Sequence, residues 1–341
     1  MNIASSRFKK DLGITIPFFI LIIFSFVILR SLAPNLFPTY FIYIIAAIIA
    51  FFIFSQIPFD ILSEFKIHFY IACIIFLILP LIIGQVTRGV VRWIPIGPIA
   101  ILPSELVRPF LFILFANQLT KKNLSLKEFL KTSVLFILPL FLILVQPSLG
   151  VAVLTAIGYL GIVLATSLDK KILIFLVALL GLSFPIIWLF LKPYQRQRIM
   201  SIDNYNSVQA TISVGSGKLT GLGLGKGTET QLAFLPEKQT DFIFASISHE
   251  LGFVGASLVL LISFFLLFRV SQSVSYAQSP QSRSFISGLF LAMLAQTFVH
   301  VGMNMGILPI TGVTLPLVSA GGSSLIATAI SLGMVIGAKR N

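Results

Sequence analysis

The chain has 341 residues, of which 57% are hydrophobic and 10% charged, with a formal net charge of +13. A water-soluble domain carries about 25% charged residues, so this composition excludes one and places the chain in lipid. The single cysteine, Cys73, excludes an intrachain disulfide and leaves no thiolate cluster for a metal. The positive charge argues for topology and anionic headgroups rather than nucleic acid, because Lys and Arg fall between apolar segments instead of along one face.

The opening "MNIASSRFKKDLG" has the basic start of a signal peptide. The apolar run behind it is too long and lacks a small-residue cleavage site, so a retained first helix is expected. A hydrocarbon core takes about 20 apolar residues per helix. That length predicts ten spans, at 13–31, 38–56, 67–85, 105–119, 129–146, 149–167, 172–191, 241–268, 284–305 and 313–337. The fourth is short and carries Arg108. Ten spans put both termini on one side. If that side is the cytoplasm, it holds 14 of the 24 basic residues, and the short outer loops hold only Arg30, Arg88, Arg92 and Arg108. The expected architecture is an all-α polytopic membrane protein, a single integral domain over 1–341 with one long extracytoplasmic loop at about 192–240.

In chain order, the first polar cluster at membrane depth is "RGVVRWIPIGPIAILPSELVRP", Arg88 to Pro109. Pro103 and Ser104 read as a helix start. Glu105 and Arg108, three apart, share a helix face and can pair; alternatively Arg92 and Arg108 bind a pyrophosphate. Trp93 is either an interfacial anchor or a platform for a sugar. On these residues alone the structural versions are favoured. The long outer segment holds "YQRQRI", with Arg198, and then the Gly-rich "SVGSGKLTGLGLGKG" from Ser213 to Gly227. The latter admits two readings with equal weight: a backbone cradle for phosphate aided by Lys218 and Lys226, or a folded surface loop. It lacks the Gly-Lys-Ser/Thr ending of a P-loop.

"FLPEKQTDFIF", Phe234 to Phe244, then sets Asp241 at the outer mouth of the eighth span. Ionisable groups there are costly and default to function. Thr240 and Asp241 could simply cap the helix, but a cap needs no Glu237 and Lys238 beside it. Glu250, nine residues on and roughly 13–14 Å deeper, reads as a buried structural partner of His249. Finally "GILPITGVTLPLVSAGGSSL", Gly306 to Leu325, breaks the tenth span with Pro309, Pro316 and the Gly-Gly-Ser-Ser run containing Ser323. Such backbone either lines a wet cavity or makes a small-residue packing patch. His68, His249 and His300 show no metal-like spacing.

Together these pieces resemble the SEDS family (shape, elongation, division and sporulation), on Arg92-Trp93, Pro103-Ser104-Glu105-Leu106, Gln146-Pro147 with Leu149-Gly150, Tyr194-Gln195 with Arg198-Ile199, the stretch "GSGKLTGLGLGKGTETQLAFLPEKQTDFIFA", Glu250-Leu251-Gly252-Phe253 and "GILPITGVTLPLVSAGGSSL". The "FLPE" start and the Gln-Pro-x-Leu-Gly pattern lean towards the RodA branch over the FtsW branch. The resemblance implies ten helices and a peptidoglycan glycosyltransferase of the bacterial cytoplasmic membrane that polymerises lipid II on the outer face. It implies Asp241 as the catalytic residue and a class B penicillin-binding protein as partner. Arg92, Trp93, Glu105, Arg108, Arg198, Glu237, Lys238, Thr240 and Ser323 are the expected substrate-binding set. A divalent cation, Mg or Mn, could share the pyrophosphate charge, although no dedicated site stands out. The chain departs from the family pattern at Ser148 (aspartate), Arg108 (lysine), Leu102 (glutamine), His300 (asparagine) and Ala320 (tyrosine). Two rival readings are a lipid II flippase and a non-catalytic scaffold for a crosslinking partner.

Overall fold

The computed structural model of the chain describes residues 11–83, 85–87, 90–121, 124–166, 205–227 and 235–339. The helices are α1 (Leu12–Leu32), α2 (Thr39–Gln56), α3 (Phe59–Glu64), α4 (Lys66–Ile83), α5 (Pro103–Leu119), α6 (Leu126–Val145), α7 (Leu149–Leu164), α8 (Tyr205–Ser216), α9 (Ile243–Ser273), α10 (Pro280–Asn304) and α11 (Gly322–Gly337). Six of them, α1, α2, α4, α6, α9 and α10, are long and apolar enough to cross a membrane. The predicted spans fall on these and on α5, α7 and α11; the seventh, 172–191, lies outside the described residues.

The bundle is organised around two short helices. α5 is buried on every side, with Leu111, Phe112, Ile113, Phe115 and Ala116 all fully covered, the signature of a helix that sees neither lipid nor water. α11 packs against α2 and α5, while α10 packs against α7, α5 and α9. Close contact between α11 and α2 needs glycine: a Cβ on Gly333 would stand 2.6 Å from the Phe51 carbonyl oxygen, and one on Gly337 2.2 Å from that of Ile57. By contrast α4 turns Ile71, Ile75 and Ile82 outwards, as a helix at the lipid boundary does.

Two departures from the sequence expectation matter for the site. The tenth span, predicted from 313, is helical only from Gly322. Residues 313–321 are irregular, because Pro316 has no N–H to give and Leu317 takes φ 63°. The loop before α5 is a three-stranded antiparallel sheet in the order β1 (Gln85–Thr87), β2 (Val90–Ile96) and β3 (Ile99–Ile101). One phenol pins it: Tyr43 Oη accepts from Ala100 N–H and donates to Ala100 C=O, both at 2.8 Å.

The Gly-rich segment finds its role inside α9. That helix breaks at Gly252, which has φ 66° and ψ −166°. A continuous helix would bond Phe253 N–H to His249 C=O and Val254 N–H to Glu250 C=O. Instead Phe253 N–H donates to Lys218 C=O (2.8 Å) and Val254 N–H to Leu219 C=O (3.1 Å). The freed carbonyls of His249 and Glu250 accept from Leu222 N–H (3.1 Å) and Gly223 N–H (2.9 Å). Loop 218–223 thus replaces, bond for bond, the turn that α9 gives up. These amides are committed to α9, which favours the folded-loop reading of the segment over a phosphate cradle. Glu250 is fully buried and accepts from Ser31 Oγ (2.8 Å) and Gly225 N–H (3.1 Å). His249 Nδ1 bonds Ser216 Oγ at 2.7 Å, so both residues tie the loop to α9.

An alanine at Gly221 would carry φ 77° and a Cβ 2.2 Å from the Glu250 carbonyl oxygen. Gly221→Ala is expected to lower stability by at least about 2 kcal/mol, seen as a drop in the thermal midpoint in detergent. Gly215→Ala, with open space around its Cβ, is expected to leave the midpoint unchanged or slightly raised.

Candidate active site

Asp241 sits in a turn one residue ahead of Phe242, the N-cap of α9, whose own side chain makes no capping bond. Glu237, at φ 53°, accepts from Thr240 N–H (3.0 Å) and Phe242 N–H (3.3 Å). The Thr240 hydroxyl donates to the Glu237 carboxylate at 3.0 Å. Glu237 and Thr240 thus shape the turn that presents Asp241.

Two other elements grip the same turn. From the irregular segment, Ser319 Oγ donates to Thr240 C=O (2.8 Å) and Ala320 N–H donates to Gln239 C=O (2.9 Å). From α10, fully buried Asn304 donates through Nδ2 to Asp241 C=O at 2.9 Å. The half-buried carboxylate lies over Gly312, whose missing Cβ would stand 3.7 Å from Asp241 Oδ2.

The cluster after the sheet converges on this turn. Glu105, in the first turn of α5 and 8% exposed, has Arg108, Arg92 and Asp241 as its electrostatic neighbours. Arg92 and Trp93 lie on β2, the guanidinium 5.6 Å from the Trp93 ring centroid. The direct Glu105–Arg108 pair expected from their spacing gives way to a longer-range interaction. Arg108 is buried and donates through Nη2 to Gln296 Oε1 at 3.1 Å. Gln296 in turn donates to Thr314 C=O (3.0 Å), and the Thr314 hydroxyl donates to Ser324 Oγ at 2.6 Å.

Ser323 and Lys238 have neighbours within the protein. Ser323 Oγ accepts from Leu102 N–H at 2.8 Å, joining the start of α11 to that of α5. Burial pulls the Lys238 ammonium below the usual lysine range, opposed by the Glu250 carboxylate, so Lys238 balances Glu250. Arg198 lies outside the described residues. Ser148, where the family pattern has a carboxylate, is buried and donates to Gln146 C=O at 3.4 Å.

Sequence reasoning passed over Gln296 and Asn304, and marked His300 as a scattered histidine and a departure from the family's asparagine without giving it a role. The signal was present: the three stand four residues apart on α10, a polar stripe on the largely apolar C-terminal half of that helix. Among the described residues no group of three or more His, Cys, Asp or Glu side chains could hold a metal ion.

Residues 11–341 match the family model FTSW_RODA_SPOVE, described as "Cell cycle protein". The chain is 36% identical over 295 residues to the peptidoglycan glycosyltransferase MrdB of Escherichia coli K12, covering 83% of this chain and 80% of that one. It is 34% identical over 315 residues to the probable peptidoglycan glycosyltransferase FtsW of Buchnera aphidicola, covering 86% and 81%. A solved chain reported under the structural coordination of polymerization and crosslinking by a peptidoglycan synthase complex superposes with a TM-score of 0.80 at 28% identity, over 96% of each chain. The rod shape determining protein RodA of Thermus thermophilus superposes with a TM-score of 0.73 at 26% identity, over 96% of this chain and 95% of that one.

Removing the acceptor from Arg108 leaves a buried guanidinium short of a partner, which costs roughly 2–3 kcal/mol. Gln296→Leu is therefore expected to lower the thermal midpoint clearly. In an Arg108→Met background the same change is expected to cost much less, and a double-mutant cycle on melting temperatures reads that coupling.

Proposed function

Since the chain belongs to the FtsW/RodA/SpoVE family, we propose that it acts as a peptidoglycan glycosyltransferase, polymerising lipid II with Asp241 as general base. The observation that carries the activity is the match to relatives that bear it in their names, at 36% identity over most of both chains. The protein is a multi-pass protein of the bacterial inner membrane, built on apolar spans. In our reading both termini are cytoplasmic, and the loop at about 192–240 and the Asp241 turn face outwards, as the distribution of Lys and Arg favours.

The reaction is attack by the acceptor sugar's 4-hydroxyl on the donor's anomeric carbon, with polyprenyl pyrophosphate leaving. Asp241 takes the hydroxyl proton, a service worth typically 10²–10⁴-fold. Three segments fix the backbone around it, so little reorganisation is needed at the moment of transfer. Arg92, half-buried on the sheet, is the cation for direct contact with the pyrophosphate, and Trp93 beside it gives a flat face for a sugar. Arg108, enclosed with Gln296, supplies field rather than contact. Glu105 holds the positive charges of Arg92 and Arg108 near the Asp241 carboxylate. A divalent cation, when bound, would share the pyrophosphate's charge; with no group of three or more His, Cys, Asp or Glu among the described residues to hold it, its ligands would come largely from the phosphates and water. Likeness to a chain from a synthase complex that couples polymerization to crosslinking supports a class B penicillin-binding protein as partner.

The test is polymerisation of labelled lipid II by the purified protein, with and without a class B partner. Asp241→Ala is expected to cut polymer at least about 100-fold while the protein stays folded. Undiminished polymer in that variant would refute the catalytic role, and flipping of lipid II in vesicles without polymer would refute the transferase reading.

A further inference from the structure

We propose that Asn304, backed by His300 one turn earlier on α10, is a positioning residue for Asp241. This rests on the reading of Asp241 as the base. In an uninterrupted helix Ala245 N–H would bond Asp241 C=O, four residues back. Asn304 has inserted its carboxamide into that bond. Its Oδ1 accepts from Ala245 N–H at 3.0 Å, and its Nδ2 donates to Asp241 C=O at 2.9 Å. The first regular bond of α9 is then Ser246 N–H to Phe242 C=O at 3.0 Å. The side chain copies a peptide group and pries the chain open by one amide, which takes Asp241 out of the helical ladder.

The amide's remaining hydrogen goes to His300 C=O at 2.7 Å, so both amide hydrogens are used and the carboxamide's orientation is set. His300 holds the opposite wall. Its Nδ1 bonds Val313 C=O at 2.7 Å, which assigns the ring proton to Nδ1. Val313 follows Gly312, the residue beneath the Asp241 carboxylate. One face of α10 therefore sets both the turn that carries the carboxylate and the floor under it. Both residues are fully buried, and they act through Asp241, not on substrate.

The experiment compares kcat and KM for labelled lipid II in purified full-length wild type, Asn304→Leu, Asn304→Asp and Asp241→Asn. Folding is followed by size exclusion and thermal melts. Leu removes the whole splice; Asp keeps an acceptor for Ala245 N–H but cannot donate to Asp241 C=O. For both, kcat is expected to fall by about 10–100-fold, the effect of a reacting group displaced by roughly 1 Å, with KM within about twofold of wild type. A kcat within twofold of wild type, a loss confined to KM, or failure of both Asn304 variants to fold would overturn the proposal. The Asp241→Asn arm separates it from its premise. An inactive Asp241→Asn beside normal Asn304 variants sinks this inference alone, whereas an active Asp241→Asn sinks the assignment of the base as well.

Discussion

A backbone amide or carbonyl that leaves a helix inside a bilayer must find another partner, because no bulk water is there to receive it. This constraint organises the molecule wherever the chain is irregular. At the start of α9 the missing bond is made by the Asn304 side chain. At Gly252 two missing bonds are made by the backbone of loop 218–223. In the segment before α11, Ser319 and Ala320 spend their donors on the carbonyls of the Asp241 turn. Each repair couples segments far apart in sequence, and two of the three involve the turn that carries Asp241.

Charge follows the same economy. Arg108 lies within the bundle on a helix buried all round, and such a charge is tolerated when hydrogen-bonded and balanced. Gln296 gives it a fixed acceptor, while Glu105 supplies the opposite sign without direct contact. Glu250 is handled separately, by Ser31, Gly225 and the nearby Lys238. Asp241 lies on the outer turn and Glu250 on the helix break.

The apolar helices were legible because a hydropathy window averages over a whole span, and most predicted spans fall on helices close to their expected ends. Asp241 was legible because a carboxylate at a span mouth has few bland explanations. The break in the tenth span was only half visible: Pro316 announced it, but the same window absorbed 313–321 into an apolar stretch that ends in a real helix. Ser323 and Lys238 stood out in the sequence as polar groups without visible partners; the structure shows Ser323 Oγ accepting from Leu102 N–H and Lys238 in the field of the Glu250 carboxylate. Asn304 was least legible. Its importance lies in a peptide bond of another helix, which no local periodicity reports.

The hydrogen bond from Leu102 N–H to Ser323 Oγ does more than close a gap. It fastens the N-terminal ends of α5 and α11 side by side at the base of the sheet. Each end carries about half an elementary positive charge from its aligned peptide dipoles. Helices of 17 and 16 residues are about 24–26 Å long, short of a hydrocarbon core of about 30 Å. Their paired ends can therefore lie beneath the membrane surface, where the field is poorly screened. That field comes from the main chain, so it does not titrate, and replacing a side chain leaves it in place while both helices stand.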